Sequence, residues 1–150
     1  MTDTQTFAGA VPIVPFVQPR KGIAWLQEAF GAIPTAVHPP EPDLPLKHAE
    51  VRIGTGLVMI DDADREGVFA LPGPVVIYVV IDTADEVDAL HDRAAAAGAE
   101  IVMGLTDQDY GSHEFAARDP HGNIWGFGTC RPALVGGLSR ASGRTRSAGT

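Results

Sequence analysis

Apolar and polar positions alternate along this chain at two different periods, which separates its strands from its helices. At a period of two, residues 48–53 predict a half-buried strand with one apolar and one polar face. The largely β-branched run at residues 75–81 predicts a strand that is buried on both faces. At helical spacing, residues 23–30 and 86–97 each align apolar side chains along one side. The pattern therefore predicts a domain that contains both helices and strands.

The predicted elements occur in the same order twice. Each half has a strand, a helix and three strands, and the predicted strands cover residues 11–17, 35–38, 48–53, 57–60, 75–81, 100–103, 112–118 and 124–129. Gly31 and Gly98 end the two helices at an offset of 98 − 31 = 67, and His48 and His113 begin matching strands at 113 − 48 = 65. The duplication predicts an α+β fold of two tandem βαβββ modules, which form a curved mixed sheet around a cavity with the helices outside.

Composition divides the chain into an arm, one domain and a tail. The domain covers residues 11–132, with module one at about 11–66 and module two at about 73–131, and residues 1–10 form an N-terminal arm. Residues 133–150 are rich in Gly, Ser and Arg, which predicts a disordered tail. A chain of 150 residues is long enough for one self-sufficient core.

A sharp turn at residues 119–123 leads into the last predicted strand. On that strand Trp125 and Phe127 share one face, which we interpret as core, and Gly126 and Gly128 share the other. Glycine weakens the interior of a strand, so two glycines on one face indicate that something approaches closely there. The bare face around Gly126 is therefore predicted to be the floor of a binding site.

Strand parity extends the predicted site to other strands. Side chains with the parity of Gly126, the polar face of residues 48–53 and its counterpart in the repeat are expected to face one cavity, with Tyr110 at its rim. The candidate ligand-binding residues are His48, Glu50, Arg52, Val76, Tyr78, Tyr110, His113, Phe115 and Gly126. Two other interpretations remain open. The two strand histidines are also consistent with hydrogen-bonded strand ends near solvent, and Glu50 with Arg52 is also consistent with a structural ion pair.

Charge and cysteine content exclude several kinds of partner. Residues 1–130 carry 7 basic and 19 acidic side chains, a balance of 7 − 19 = −12, so no nucleic-acid partner is expected. No apolar run reaches the ~18 residues of a membrane span and no signal peptide is visible, so no membrane partner is expected. The single Cys130 rules out an internal disulfide framework and favours a cytoplasmic location.

Several motifs, in this order on a duplicated chain, resemble those of one known superfamily. They are WLQEAFG at residues 25–31, YVVI at 78–81 followed by DEVDAL at 85–90, and DPHGN at 119–123. Over about residues 11–132 the chain resembles the vicinal oxygen chelate superfamily, which has the glyoxalase, bleomycin-resistance and dioxygenase fold of paired βαβββ modules. The run DQDYG at residues 107–111 is similar to the PhnB-like branch in particular.

The resemblance also implies where a metal would lie. Metal-dependent members hold a divalent ion with side chains from the first and last strands of each module. Matched strand by strand, these positions fall at or next to Ile13, Ile60, Val76 and Gly126, none of which has a side chain that can bind a metal. The expectation is therefore that the protein holds no metal and no cofactor.

The leading hypothesis is a metal-independent protein that binds a small organic molecule and sequesters an antibiotic or metabolite, as bleomycin-resistance-like members do. The acidic body favours an aromatic or cationic ligand, since long-range attraction concentrates cations. The alternative is an enzyme of the superfamily, a lyase, isomerase or dioxygenase-like protein, that uses a displaced divalent metal or a general base at His48, Glu50 and His113. Members of the superfamily commonly dimerise, so a homodimer is expected.

Overall fold

The computed structural model describes residues 9, 11–67, 70 and 73–132. The first module consists of β1 (Ile13–Phe16), α1 (Pro19–Phe30), β2 (Ile33–His38), β3 (His48–Ile53) and β4 (Gly56–Asp62). The second module repeats this order with β5 (Val76–Val80), α2 (Ala84–Ala96), β6 (Glu100–Asp107), β7 (His113–Arg118) and β8 (Ile124–Gly128). The tail that the sequence predicts at residues 133–150 lies outside the described residues, and so does all but one residue of the predicted arm.

Each module forms a four-stranded mixed sheet. The strand orders are β1-β4-β3-β2 and β5-β8-β7-β6. In both sheets the first and last strands of the module run parallel, and the other neighbours are antiparallel. A parallel pair needs a long crossover connection, which the helix and the two intervening strands supply. The prediction of an α+β fold with two tandem βαβββ modules is confirmed.

The ends of the two helices follow from their local sequence. Helix α1 begins at Pro19, before the predicted residue 23, because a proline in the first turn needs no N–H donor. It ends at Gly31, whose φ of 66° is left-handed. Helix α2 follows Thr83, whose hydroxyl accepts the Glu86 N–H at 3.2 Å. In the part of the chain that the structure describes, no helix is long and apolar enough to cross a membrane.

An aromatic cluster joins the two modules into one core. The Phe30 ring at the end of α1 lies 4.8 Å from the Phe127 ring and 5.8 Å from the Trp125 ring, centroid to centroid. The Phe127 ring also stacks on Phe115 of β7 at 5.2 Å. These three residues of the second sheet are fully buried, which confirms the interpretation of Trp125 and Phe127 as core. A helix of module one therefore covers part of the sheet of module two.

A buried hydrogen-bond network at the turn before β8 connects the same two modules. Asn123 Nδ2 donates to the Pro15 carbonyl of β1 at 3.0 Å and to Asp119 Oδ2 at 2.8 Å. Asn123 Oδ1 accepts the Val75 N–H at 3.0 Å, and Trp125 Nε1 donates to Asp119 Oδ2 at 2.8 Å. Asn123 is 0% exposed, so water does not compete for these bonds. One amide side chain therefore holds the first strand of each module.

The outer face of the second sheet is open, which corrects the prediction for residues 75–81. Val76 is 75% exposed and Tyr78 is 44% exposed, whereas both faces of this strand were predicted to be buried. Val102 of β6 is 39% exposed. The apolar run was interpreted as fully buried because apolar side chains point to both sides of it, but the described residues cover only one side. The remaining side is an apolar surface on the outside of the molecule.

Replacing Asn123 by Ala is expected to lower the free energy of unfolding by about 2–4 kcal/mol. The change removes the partner of the buried Pro15 carbonyl and of the partly buried Val75 N–H, and each unpaired group costs free energy. Urea denaturation measures the change. The control is Asp109→Ala, an exposed turn residue, which is expected to stay within about 0.5 kcal/mol of the parent. Equal stability of the two variants would contradict a structural role for this network.

Candidate functional site

The register of the second sheet shows which side chains share its open face. Tyr78, Gly126 and Ala116 are directly opposite one another across β5, β8 and β7, and opposite residues lie on the same face. Trp125 and Phe127 alternate with the glycines and point to the helices. The bare side of the last strand therefore faces away from the core and shares its face with Tyr78.

The chain's own side chains approach the two glycines of β8. A Cβ atom at Gly128 would lie 2.4 Å from the Tyr78 hydroxyl oxygen and 2.7 Å from Glu114 Cβ, which is closer than atoms can pack. At Gly126 the nearest atom is Tyr78 Cδ2 at 3.5 Å, an ordinary contact. Position 128 therefore requires glycine, because the Tyr78 and Glu114 side chains approach its Cα too closely for a Cβ atom. The Tyr78 ring spans β8 from its neighbouring strand.

Glu114 on β7 is the centre of a polar cluster on this face. Its Oε1 accepts the Tyr110 hydroxyl at 2.6 Å and the Gln108 amide N–H at 3.1 Å. Its Oε2 is buried and has no hydrogen-bond partner among the described residues. Beside it the hydroxyls of Tyr78 and Ser112 lie 3.3 Å apart and both accept the Cys130 N–H.

The protonation states of this cluster follow from those contacts. Burial raises the pKa of the Glu114 carboxyl, but the hydroxyls of Tyr110, Ser112 and Tyr78 and the amide of Gln108 act in the opposite direction and hold the pKa below its ordinary value. The hydrogen bond to Glu114 raises the pKa of Tyr110 to about 12. At neutral pH the carboxyl is therefore an anion and the phenol keeps its proton.

The structure corrects the predicted orientation of two β7 residues. Phe115 is opposite Phe127 and is 0% exposed, so it points to the helices and not to the open face. His113 also points to the helix side, where its Nε2 lies 2.6 Å from Asp88 Oδ1 of α2 and its Nδ1 lies 2.7 Å from Asp107 Oδ1 of β6. His48 was aligned with His113 in the predicted repeat, and this alignment assigned each β7 side chain to the wrong face of the sheet. The correct parity places Glu114 on the open face, and the sequence reasoning missed it for that reason.

The other predicted residues are divided between two places. On β3, His48 Nε2 and Glu50 Oε2 are 3.0 Å apart, so the ion-pair partner of Glu50 is His48 and not Arg52. Arg52 lines a cavity of about 620 Å³ together with Phe30, Ile33, Leu90 and Arg93. Tyr110 lies in the loop before β7 and is 60% exposed, at the edge of the open face. Val76, Tyr78 and Gly126 share that face as predicted.

The side chains at the superfamily's metal positions do not fit a metal centre of that type. Ile13 is opposite Met59 on β4, and the adjacent Ile60 is part of the core. Neither the aliphatic side chains at Ile13 and Val76 nor Gly126 has a donor atom, and the Met59 thioether is a soft, weak ligand. Among the described residues, no three His, Cys, Asp or Glu side chains are grouped to hold an ion.

The structure does not bring His48, Glu50 and His113 together into the alternative site. Both ring nitrogens of His113 are bonded to the carboxylates of Asp88 and Asp107, so neither is available to a metal or a substrate proton. His48 and Glu50 lie in the first sheet and pair with each other.

The paired βαβββ modules place this chain in a class of proteins that comparison with known proteins identifies. Residues 14–127 match the Glyoxalase/Bleomycin resistance protein/Dioxygenase superfamily. The chain belongs to this superfamily, as its motifs indicated.

Individual relatives agree with this assignment. Uncharacterized proteins of Mycobacterium bovis and Mycobacterium tuberculosis are 36% identical over 97 residues, which is 59% of this chain and 62% and 55% of theirs. The chain thus matches less than two thirds of the length of these relatives. The crystal structure of TioX from Micromonospora sp. ML1 is 26% identical, with a TM-score of 0.64 over 85% of this chain and 100% of that one. Lactoylglutathione lyase from Agrobacterium tumefaciens is 18% identical, with a TM-score of 0.58 over 81% and 93% of the two chains, and it shares the fold.

Gly128→Ala is expected to lower the free energy of unfolding by about 1–3 kcal/mol, because the new methyl group must displace Tyr78 or Glu114. Urea denaturation measures the change. Gly104→Ala is the matched control, since a Cβ on that strand glycine meets nothing within 4 Å. It is expected to be neutral or stabilising by up to about 1 kcal/mol. Two alanine variants of equal stability would show that Tyr78 and Glu114 do not restrict Gly128.

The stabilisation by His113 is expected to depend on pH. The hydrogen bonds that His113 donates to Asp88 and then to Asp107 raise its pKa above the ordinary 6.5, since both carboxylates favour the imidazolium. Protonated His113 stabilises the fold, and this stabilisation is fully present below pH 6.5, the ordinary pKa of histidine in the unfolded chain. It is lost as the pH rises through the higher pKa that His113 has in the folded protein. The loss of unfolding free energy in His113→Gln should therefore be larger at pH 5.5 than at pH 9. Urea denaturation at both pH values tests this, with the exposed His38→Gln as the control, and a loss that grows with pH would contradict it.

Proposed function

We propose that this protein binds a small organic molecule without a metal and sequesters an antibiotic or metabolite. The observation that carries the proposal is the open face of the second sheet. There Tyr78 and the rim residue Tyr110 lie beside a buried, ionised carboxylate, and the exposed Val76 extends the apolar surface along β5. Aromatic and aliphatic walls with a few convergent polar groups are typical of small-molecule sites. An exposed apolar surface of this kind on a folded domain is typical of an interaction site.

The metal-independent form of the proposal has separate support. The side chains at the superfamily's metal positions lack donor atoms, and each histidine of the alternative site is bonded to a carboxylate of the chain. Binding energy in such a site would come from apolar contact and from Glu114. We therefore favour sequestration over the lyase, isomerase or dioxygenase-like chemistry found elsewhere in the superfamily.

Two finer assignments belong to the same proposal. The run DQDYG at residues 107–111 supports membership of the PhnB-like branch through its sequence resemblance alone. The open apolar face supports a homodimer, in which a second copy would cover Val76 and Val102 and enclose the site. Sedimentation equilibrium measures this assembly directly.

Titration of chelator-treated protein with candidate antibiotics and metabolites, followed by calorimetry, tests the proposal. We expect saturable binding that a chelator does not alter. Tyr78→Ala should weaken this binding at least tenfold, since a buried aromatic contact is worth more than 1 kcal/mol. Leu44→Ala, which truncates an exposed side chain in a distant loop, is the control and should leave the affinity unchanged. Binding only in the presence of a stoichiometric divalent metal would contradict the metal-independent form, and the absence of any saturable ligand would contradict the binding function.

A further inference from the structure

Glu114 has one carboxylate oxygen without a hydrogen-bond partner among the residues that the structure describes. The residue is 6% exposed, and its Oε1 accepts two hydrogen bonds, from Tyr110 and Gln108. Within the described residues its Oε2 accepts none, although it is buried. Buried polar atoms in folded proteins are nearly always bonded, so an unpaired carboxylate oxygen requires a functional reason. The Oε2 atom is an acceptor in need of a donor.

The charge of this carboxylate is not neutralised by its donors. The groups that donate to Glu114 Oε1 are a phenol and a primary amide, both uncharged. The hydroxyls of Tyr78 and Ser112 lie nearby, and they too are uncharged at neutral pH. These neutral groups stabilise the anion, but none of the described residues that donate to Glu114 brings a positive charge. A cationic donor from outside the chain would satisfy both the charge and the hydrogen bond.

Two aromatic side chains lie over this position. The Tyr78 ring crosses β8 next to Glu114, and Tyr110 covers Oε1 from the adjoining loop. They are 44% and 60% exposed, and exposed side chains change rotamer on the picosecond to nanosecond timescale. Both rings are therefore accessible to a ligand that approaches the carboxylate. Aromatic rings attract cations through their faces, so the same position favours a positive charge twice.

We propose that Glu114 is the anchor for an organic ammonium ion, which donates an N–H to Oε2 while its apolar body lies against Tyr78. This inference rests on the proposed function and names its ligand class: primary or secondary amines that carry an aromatic or aliphatic group. A quaternary ammonium has no N–H, so it neutralises the Glu114 charge but donates no hydrogen bond to Oε2. A neutral alcohol of the same shape satisfies the acceptor but not the charge.

Three probes of one shape separate these requirements: 2-phenylethylamine, its N,N,N-trimethyl derivative and 2-phenylethanol. Ligand-observed NMR titration of the full chain at pH 7 measures their dissociation constants. We expect the primary amine to bind at least tenfold more tightly than either of the other two. We expect this preference to weaken as salt is added, because salt screens an ionic contact that is open to solvent.

The Glu114→Gln variant removes the charge and keeps the shape. It should reduce the affinity for the amine at least tenfold and leave that for the alcohol unchanged. Glu41→Gln is the matched control, because it makes the same change in net charge on an exposed loop. It should leave all three affinities as they are. The comparison of the three probes on the unaltered protein decides the question even if Glu114→Gln does not fold.

The outcomes distinguish this inference from the function on which it rests. If the alcohol binds as tightly as the amine and Glu114→Gln changes neither, the ammonium anchor is wrong while small-molecule binding stands. If amine and trimethyl derivative bind equally, the hydrogen bond to Oε2 is wrong. If Glu41→Gln weakens the amine as much as Glu114→Gln does, the effect comes from the overall field and the anchor is again wrong. If no probe binds and no compound from the wider titration binds, both proposals fail.

Discussion

The bonds of Asn123 are the constraint on which the arrangement of this protein depends. They fix the start of β8 against both β1 and β5, and Asp119 holds the Asn123 and Trp125 side chains in place from the preceding turn. Because side chains alternate across a strand, a slip of one residue would turn Trp125 to solvent and bury the glycines. The position of the open face and the position of the core are therefore set by the same few hydrogen bonds. The turn reaches this geometry through Gly122, whose φ is 98°.

Much of the fold was predictable because its signals are local or repeated. Alternation placed β3 correctly, the glycine after Phe30 ended α1, and the duplication gave the order of elements. The exposure of Val76 and Tyr78 was not predictable, since an apolar strand looks the same whether or not a neighbour covers its second face. Strand length was also underestimated for β6, which extends to Asp107 through a run that contains Gly104 and polar residues.

The candidate site was predicted only in part, because the predicted repeat assigned the side chains of β7 to the wrong faces of the sheet. The sequence assigned Tyr78 and Gly126 to one face, but it aligned His113 with His48 and so assigned His113 and Phe115 to that face as well. Cross-strand pairing places Glu114 there instead. Glu114 carried no signal of its own, because a single acidic residue in a strand resembles any solvated position. Its importance follows from burial and from the donors around it, which depend on the loop at residues 108–112 and on Tyr78.

The Phe30 ring lies outside the sheet of its own module, against Trp125 and Phe127 of the other. The two halves of the chain are copies in sequence order, yet neither encloses a complete interior of its own. If the two modules were separated, each module would expose to water the aromatic surface that the other module now covers. The ancestral repeat has thus become an obligate pair, and we expect the whole chain to denature in one cooperative step with no stable half-molecule along the way.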